Sequence, residues 1–381
     1  MQTIFRTLII VILLSSAVLP AWAVSVPTTN MALLSNGTVE VQYGTTVTGD
    51  IAGTAGVSVH NNVLVTGSAY SGGASWVDSN SIITGSLNSN GNVSTGQGVS
   101  FGGDVTSGGT TWLDNKTQVG GNVESSGSID TGTNVKVTGD VNSGANIWLN
   151  NKTSVGGNAS PGTNGGTLST GSNVTIGGNT TPSNPTVPTV SIPTVTPGSV
   201  PSYSGSGSTW LPNNSSASIT PGTYGSYSTG TGVDLFFSAG EYNLGQIWLN
   251  NNSTLNFDTS AGDIVLNLFG DFNTGTGVTF IVTGDGLVYV NVYDGNFWMA
   301  QNSTLDAIVR VYNGEFGMDT GATITGNVWA SGDIYVGKNS TITYRGDSPV
   351  PGVPEPLTVL SVFFATGGLG GYLAKRLKKS F

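Results

Sequence analysis

The feature that most constrains this chain is a repeat of about 18 residues in its first half. A four-residue signature recurs, consisting of an apolar residue, Thr or Gly, Gly, and then Asp, Asn or Ser. Its copies begin at Val47, Val65, Ile83, Phe101, Val119, Val137 and Val155. A further copy begins at Ile176, slightly late, after an insertion at residues 161–166. A fixed short period is typical of proteins whose repeats stack on one another.

Each unit of the repeat contains a shorter period of six. Apolar residues lie at i and i+2 and are followed by a turn of four residues, as at Ile51, Val57 and Val63. This pattern predicts a short strand with one buried face, and three such strands form one triangular coil. Stacked coils pair every strand with the strands above and below it, which satisfies the backbone polar groups in parallel sheets. The sequence therefore predicts an all-β parallel β-helix, also called a β-solenoid.

The second half keeps the pattern in a looser form. Strands lengthen at residues 263–269 and 287–293, which predicts longer coils there. Six prolines between residues 181 and 201 predict an extended connector. We divide the body into an N-terminal solenoid (residues 24–180), a connector (181–206) and a C-terminal solenoid (207–347). The alternation of Trp-bearing coils resumes in phase at Trp210, which favours one rod over two domains, but both arrangements and both helix hands stay open.

Charge and composition exclude several functions. The net charge is −10, and the body carries only six basic residues against some twenty carboxylates, so nucleic-acid binding is not expected. The chain has no cysteine, so no thiolate metal site and no disulfide can form. Its one histidine, His60, is expected at the surface without a catalytic partner. We expect no metal, no cofactor and no catalytic residue.

The N-terminal segment, residues 1–23, has the features of a secretory signal peptide. Arg6 precedes an apolar region at residues 8–19, and the small residues Ala21 and Ala23 suit cleavage after Ala23. The body is therefore expected to be exported.

The C-terminal segment, residues 348–381, has the features of a sorting signal. Val353, Pro354, Glu355 and Pro356 precede an apolar stretch at residues 357–374, about long enough to cross a bilayer. A basic tail follows, formed by Lys375, Arg376, Lys378 and Lys379, and the positive-inside bias would keep it cytoplasmic. An uncleaved C-terminal anchor would have the same composition.

This C-terminal segment resembles the PEP-CTERM tail. The resemblance implies a Gram-negative bacterium, an inner-membrane intermediate, and recognition by a membrane protease of the exosortase type. It also implies delivery to the cell envelope, the outer surface or the extracellular matrix. Whether the tail is cut stays open.

The body resembles known β-helical families more loosely. The first half is similar to the bactofilin type of β-helix, through turns such as Gly139 to Val141, and bactofilins are cytoplasmic polymers. The second half is similar to β-helical domains of exported and pilus-associated proteins, through residues 220–224 and 326–328. These resemblances imply a β-helix; export argues against a cytoskeletal role, and end-to-end stacking of different copies stays open.

Three tryptophans, Trp76, Trp112 and Trp148, form the candidate binding site. Each lies between two inward-facing positions of a predicted strand, so each is predicted to point outward at intervals of two coils, roughly 10 Å. Exposed aromatic rings in a regular row suit stacking on sugar rings. The row would instead be hidden if the connector or another chain covered it.

The sequence thus predicts a non-enzymatic, exported structural or adhesive protein associated with exopolysaccharide or biofilm. One alternative is a glycan-binding module that uses the tryptophan row. Another is a polysaccharide lyase or hydrolase, in which paired carboxylates such as Asp78 and Asp114 would act. Self-association of the rod is a further expectation.

Overall fold

The computed structural model describes residues 23–197 and 199–346. Within them the chain is a parallel β-solenoid that consists of strands and turns, with no α-helix. None of these residues forms an apolar helix of membrane-spanning length. The sorting motif, the apolar stretch 357–374, the basic tail and the signal peptide up to residue 22 lie outside the described residues.

Three sheets form the sides of the rod, and the chain visits sheets 1, 2 and 3 in turn in every coil. Sheet 1 has 14 strands: Met31–Ser35, Asp50–Gly53, Ala69–Ser71, Leu87–Ser89, Val105–Ser107, Val123–Ser125, Val141–Ser143, Ala159–Ser160, Gly222–Thr223, Gly240–Leu244, Ile264–Leu268, Val288–Val292, Ile308–Val311 and Val328–Ala330. Sheet 2 has 15 strands: Thr38–Val41, Gly56–Val59, Ala74–Val77, Val93–Thr95, Thr111–Leu113, Ile129–Thr131, Ile147–Leu149, Leu168–Thr170, Ser208–Leu211, Ser226–Thr229, Ile247–Leu249, Phe272–Thr274, Phe297–Met299, Phe316–Met318 and Ile334–Val336. Sheet 3 has 15 strands: Thr46–Thr48, Leu64–Val65, Ile82–Ile83, Ser100–Phe101, Gln118–Val119, Lys136–Val137, Ser154–Val155, Thr175–Ile176, Ser216–Ile219, Asp234–Ser238, Thr254–Asp258, Thr279–Thr283, Thr304–Asp306, Thr323–Thr325 and Thr341–Thr343. A separate pair joins Ala23–Ser25 to Thr189–Ser191 in the connector.

The coil lengths follow the predicted pattern. In the first half, Ile82 pairs with Ser100 and Ser100 with Gln118, so one coil occupies residues 82–99 and the next 100–117. In the second half, Thr254 pairs with Thr279, so the coil there is longer and occupies residues 254–278. The prediction of an all-β solenoid with longer coils in the second half is confirmed. The wider coils hold larger side chains, including a stacked column of buried phenylalanines.

The order of the coils along the rod differs from their order in the sequence. The last strand of the second half, Thr341–Thr343, pairs with the first sheet 3 strand of the first half, Thr46–Thr48. Sheets 1 and 2 show the same junction. The first half therefore winds from the middle of the rod to one end, and the second half winds from the opposite end back to the middle. One hydrophobic core runs through both halves.

The two halves thus form one rod, but the coil at Trp210 does not stack directly on the end of the first half. The strand Ser208–Leu211 lies at the opposite end of sheet 2 from Leu168–Thr170. The connector, residues 181–206, makes this possible because it is long: at about 3.1 Å per residue it reaches about 80 Å. The 15 strands of sheet 2 span only about 67 Å at about 4.8 Å per step.

The connector lies along the outer face of sheet 1. Two asparagines at the edge of that sheet hold it by paired hydrogen bonds to its backbone. The Asn90 amide accepts from the Val190 N–H at 2.6 Å and donates to the Val190 carbonyl at 2.9 Å. Asn36 does the same to Val195, at 2.7 and 2.9 Å. Further along, Tyr203 stacks on Phe269 with 4.5 Å between ring centroids. The connector thus follows the rod from the first half to the second.

The connector also covers apolar side chains that face outward from sheet 1. Val190 and Val195 belong to a buried cluster with Met31, Leu34 and Trp329. All five residues of the strand Met31–Ser35 are buried, because its inner face meets the core and its outer face meets the connector. Sheet 1 is therefore closed to solvent where the two halves meet.

The corner between sheets 2 and 3 carries one residue of positive φ in almost every coil. Most are asparagine or glycine, such as Asn80 with φ 57° and Gly98 with φ 73°. Asparagine and glycine tolerate this conformation at low cost, whereas other side chains clash with the backbone. Lys116 and Lys152 occupy the same corner position, each with φ 61°.

Replacing Lys116 and Lys152 by asparagine is therefore expected to stabilise the rod. A residue of this kind in the left-handed region costs on the order of 1 kcal/mol, so the double variant should unfold at a measurably higher urea concentration. Urea denaturation followed by circular dichroism measures the midpoint. A matched change of Lys136, which lies in a strand, to asparagine should give no gain. A lower midpoint for the corner variant would contradict this account.

The C-terminal end of the described chain leaves the rod near its middle, at one corner. Tyr344 follows the last strand of sheet 3; its N–H donates to the Thr48 carbonyl at 2.9 Å, and its hydroxyl donates to the Thr29 carbonyl. Arg345 pairs with Asp306 at the same corner. This corner joins sheets 3 and 1, so it lies opposite sheet 2.

Candidate functional site

The outer face of sheet 2 carries a single column of aromatic residues. Strand register places Trp148 beside Asp130, Asp130 beside Trp112, Trp112 beside Ser94, and Ser94 beside Trp76. The three predicted tryptophans thus lie in one row, two strands apart. Their inward neighbours, such as Ser75 and Ile147, are buried, which is why the residue between them must face solvent.

The column continues through the second half of the chain. From the rod end at Trp210 it passes Ser228, Trp248, Asn273 and Trp298, and then Gly317 and Tyr335. We name the seven aromatic residues of this column the aromatic ladder: Trp76, Trp112, Trp148, Trp210, Trp248, Trp298 and Tyr335. The three tryptophans predicted from the sequence are therefore less than half of the ladder.

The tryptophans of the ladder are exposed. Their relative exposure ranges from 39% for Trp298 to 61% for Trp210. The connector covers sheet 1, not sheet 2, so the described part of the chain does not hide the ladder. Short residues lie between the rings, namely Ser94, Asp130, Ser228 and Asn273, and each is only half-buried. The rings therefore project as separate rungs above a polar floor.

At Gly317 the column has no side chain, and the neighbouring Trp298 ring fills the space. A Cβ atom at this position would lie 2.0 Å from Cζ3 of Trp298, so the indole occupies the space that any side chain would fill. The Trp298 ring leans along the rod over Gly317 and approaches Tyr335, with 6.3 Å between centroids and planes within 9° of parallel. These two rungs form one aromatic patch near the middle of the rod.

The ladder has a break at the junction of the two halves. Ser58 and Glu40 lie between Trp76 and Tyr335, so neighbouring rungs are three strands apart there instead of two. The Glu40 carboxylate accepts from the Gln42 amide at 2.5 Å and lies 3.0 Å from Nε2 of His60. His60 lies at the surface, as predicted, with its side chain 34% exposed and the Glu40 carboxylate beside it.

Two residues of the column, the spacer Asp130 and the ladder residue Tyr335, have shifted pKa values. Burial raises the pKa of Asp130, which lies between Trp112 and Trp148 in the column. Burial raises the pKa of Tyr335 as well, with further increases from the charges of Glu40 and Asp319. The carboxylate of Asp130 is therefore partly withdrawn from water.

Acidification is expected to stabilise the fold. Burial also raises the pKa values of Asp50 and Glu124. A carboxyl whose pKa is higher in the folded state binds its proton more tightly there, so its contribution to stability is present at low pH and lost as the pH rises through the folded-state pKa. The exposed Asp258 has a pKa that shifts in the opposite direction, through its hydrogen bonds from Ser260.

The urea midpoint should therefore rise when the pH is lowered from about 7 to about 4, near the unfolded-state pKa values of these carboxyls. Urea titrations at the two pH values measure this. A variant with Glu124→Gln and Asp130→Asn should show a smaller rise. A midpoint that falls on acidification, as in ordinary acid denaturation, would contradict the prediction.

The carboxylates considered for catalysis have structural partners. Asp78 and Asp114 accept hydrogen bonds from the next backbone N–H in their own turns, at 2.8 and 2.6 Å. Asp104 and Asp140 accept from the N–H groups of Asn122 and Asn158 in the following coil, both at 2.7 Å. These four carboxylates therefore order turns and stack coils. Within residues 23–197 and 199–346 no cluster of three or more His, Asp or Glu side chains suits a metal ion.

Comparisons with known proteins give little beyond the fold. No protein-family model matches the chain, and no curated protein matches it significantly. A solved structure of an ice-binding protein from an Antarctic bacterium of the Flavobacteriaceae is similar over 84% of this chain and 98% of its own, at 12% identity and a TM-score of 0.22. A likeness of that size carries no conclusion about function. The strands and the ladder themselves define this protein as a parallel β-solenoid with an aromatic face.

Sequence reasoning missed the four ladder residues of the second half. The repeated pattern of Trp followed by an apolar residue was visible at Trp210, Trp248 and Trp298. Their alignment with Trp76 was not, because it depends on how the two halves stack. Tyr335 had no such signal, since its strand has tyrosine where the others have tryptophan.

Proposed function

We propose that this protein is a non-enzymatic adhesive rod that binds exopolysaccharide at the surface or in the matrix of a Gram-negative bacterium. The observation that carries the proposal is the aromatic ladder, seven aromatic residues in one column on a face that the connector leaves uncovered. Soluble proteins seldom leave many large apolar side chains in one exposed row unless a ligand or partner covers them. Sugar rings present C–H groups that suit the faces of indole rings.

The nature of the face favours a sugar over a protein partner. The rungs are separated by Ser, Asp and Asn side chains, which supply hydrogen-bond donors and acceptors between the rings. A polysaccharide chain offers the same alternation of apolar ring faces and hydroxyl edges. A protein interface would be expected to have a continuous apolar centre, and this face does not.

We propose further that the rod is exported by its signal peptide and sorted by its PEP-CTERM-like tail through an exosortase-type protease. The described chain ends at Gly346, at the corner opposite sheet 2 and near the middle of the rod. A tether at that point would hold the rod along the cell surface and direct the ladder away from it. This geometry suits adhesion to a matrix outside the cell.

A retention assay tests the binding proposal. The full-length protein is passed over the producing organism's exopolysaccharide, immobilised, beside a variant with Trp76, Trp112 and Trp148 changed to alanine. The matched control changes three exposed apolar residues of sheet 3, Ile82, Phe236 and Ile281, to alanine. We expect retention of the intact protein and the control, and at least a tenfold weaker retention of the ladder variant. Equal retention of all three would overturn the proposal.

The sorting proposal has its own test. Changing Pro354, Glu355 and Pro356 to alanine should leave a longer, membrane-bound protein, detected by the mass of its C-terminal peptide. If the variant had the same mass and location as the intact protein, the motif would not be a recognition site for the protease. Release of reducing ends from the polysaccharide by the intact protein would contradict the non-enzymatic part of the proposal.

A further inference from the structure

We infer that the ligand of the ladder is an extended, uncharged polysaccharide with β-(1→4) linkages, which lies parallel to the rod axis with one sugar per strand. This inference rests on the proposed function and specifies its substrate class. It follows from the spacing of the rungs, from the charge of the column and from the break at its centre.

The spacing of the rungs selects a chain with a two-residue repeat. Within each half of the ladder an aromatic residue occupies every second strand, so equivalent backbone positions recur at about 9.6 Å; the rings of Trp298 and Tyr335 lean closer together, to 6.3 Å between centroids. In an extended β-(1→4) chain each pyranose advances the chain by roughly one strand spacing and is turned over relative to the one before. The same face therefore recurs at every second sugar, which matches one ring per two strands. Chains that coil, such as α-(1→4) or β-(1→3) glucans, turn away from a straight column.

The spacer residues suit the sugars that are turned over. Ser94 and Asp130, and in the second half Ser228 and Asn273, are short, polar and half-buried between the rings. A sugar above such a residue would present its hydroxyl edge to a donor or acceptor instead of its face to an indole. An aromatic ring at every strand would not fit a chain whose alternate sugars differ in orientation.

The charge of the column favours a neutral chain over an anionic one. From Ser169 to Trp210 the column contains two carboxylates, Asp130 and Glu40, and no lysine or arginine. A uronic-acid or sulfated polysaccharide would meet like charges in the first half of the column, at Asp130 and Glu40, and no cation of the column in either half to offset its own charge. A neutral hexose or N-acetylhexosamine chain would not.

The break divides the ladder into two subsites. Trp76 and Tyr335 are three strands apart, so a two-fold chain that is in register with one half presents the wrong sugar faces to the other half. The first subsite extends from Trp76 to Trp148 over five strands, and the second from Tyr335 to Trp210 over seven strands. A single polysaccharide chain should therefore contact the first subsite through about five sugars and the second subsite through about seven.

Calorimetric titration with oligosaccharides of two to nine sugars tests the inference. We expect the full-length protein to bind cello- or chito-oligosaccharides with an affinity that rises in steps, about two- to tenfold for each second sugar. The variant that lacks Trp76, Trp112 and Trp148 should reach its plateau at seven sugars. The variant that lacks Trp210, Trp248 and Trp298 should reach it at five.

A Ser94→Trp variant separates register from simple apolar attraction. The substitution places a ring where the column has a polar spacer. In the variant that also lacks Trp210, Trp248 and Trp298, it should weaken binding of the five-sugar ligand, although it adds apolar surface. Stronger binding would overturn the inference, and so would equal affinity for malto- or laminari-oligosaccharides of the same length. Retention by the organism's exopolysaccharide without affinity for any β-(1→4) ligand would overturn this inference and leave the proposed function intact. Absence of both would overturn the proposed function as well.

Discussion

Deletion of residues 182–193 from the connector is expected to abolish the folded rod. The segment that remains between Gly178 and Ser208 could span at most about 61 Å when fully extended. The first and last strands of sheet 2 are about 67 Å apart. The shortened connector cannot reach, so either a terminal coil would have to detach or the junction between the strands Thr341–Thr343 and Thr46–Thr48 would have to open.

The deletion also removes the contact that closes sheet 1. Val190 would be lost from the cluster with Leu34 and Trp329, and the Asn90 amide would lose both of its partners. Thermal unfolding by circular dichroism and size-exclusion chromatography measure the result, which should be aggregation or a broad, early transition. In the control variant, a Gly/Ser segment of the same length replaces residues 182–193. This variant keeps a connector long enough to span the rod but loses the packing of Val190, so it should fold with reduced stability. A deletion variant with the melting temperature of the intact protein would contradict the coil order described above.

Replacing Phe297 by alanine is expected to cost about 3–5 kcal/mol of unfolding free energy. Its ring is fully buried in the wide part of the core, stacked between Phe272 at 4.6 Å and Phe316 at 5.4 Å. Removing the middle ring leaves a cavity that neighbouring coils cannot close, because their backbones are fixed by hydrogen bonds on both sides.

Urea denaturation measures this effect, and Phe236→Ala supplies the matched control. Phe236 lies on the outer face of sheet 3 and is 44% exposed, so its loss should change the unfolding free energy by no more than about 0.5 kcal/mol. Equal effects of the two substitutions would show that the second half has no tightly packed aromatic core.

The local structure of the coils was predictable because each coil is encoded within a short window. Alternation at Val93 and Thr95, a turn, and the next apolar pair define a strand and its buried face without distant information. The outward orientation of Trp76, Trp112 and Trp148 follows from the same alternation. Longer strands such as Ile264–Leu268 indicated the longer coils in the same way.

The order of the coils was not predictable from local pattern. Val47 pairs with Ile342, almost the whole chain away, and nothing near either residue encodes that choice. The in-phase spacing of Trp210 after Ser169 suits direct continuation equally well. The observed coil order differs from direct continuation in that it buries the outer face of sheet 1 where the two halves meet. One sequence feature did indicate this burial. The segment Met31 to Leu34 is apolar at four consecutive positions, which is typical of a strand covered on both faces.

The complete ladder could not be predicted either, because it depends on the order of the coils along the rod. Seven rungs in one column exist only because the second half stacks beneath the first with its tryptophans in the same column. The sequence indicated which residues face outward, whereas the stacking decides which of them are neighbours. The break at Glu40 and Ser58 has the same origin, since it marks the contact between coils that are remote in the chain.

The most direct test of the central claim is residue-resolved footprinting of the full-length protein by hydroxyl radicals, with and without the organism's exopolysaccharide. The account predicts that oxidation of Trp76, Trp112, Trp148, Trp210 and Trp248 falls severalfold when the polysaccharide is bound. Oxidation of Phe236 and Ile281 on sheet 3 should not change. Protection of sheet 3 with no protection of the ladder, or no protection on either face, would contradict the assignment of the ladder as the binding site.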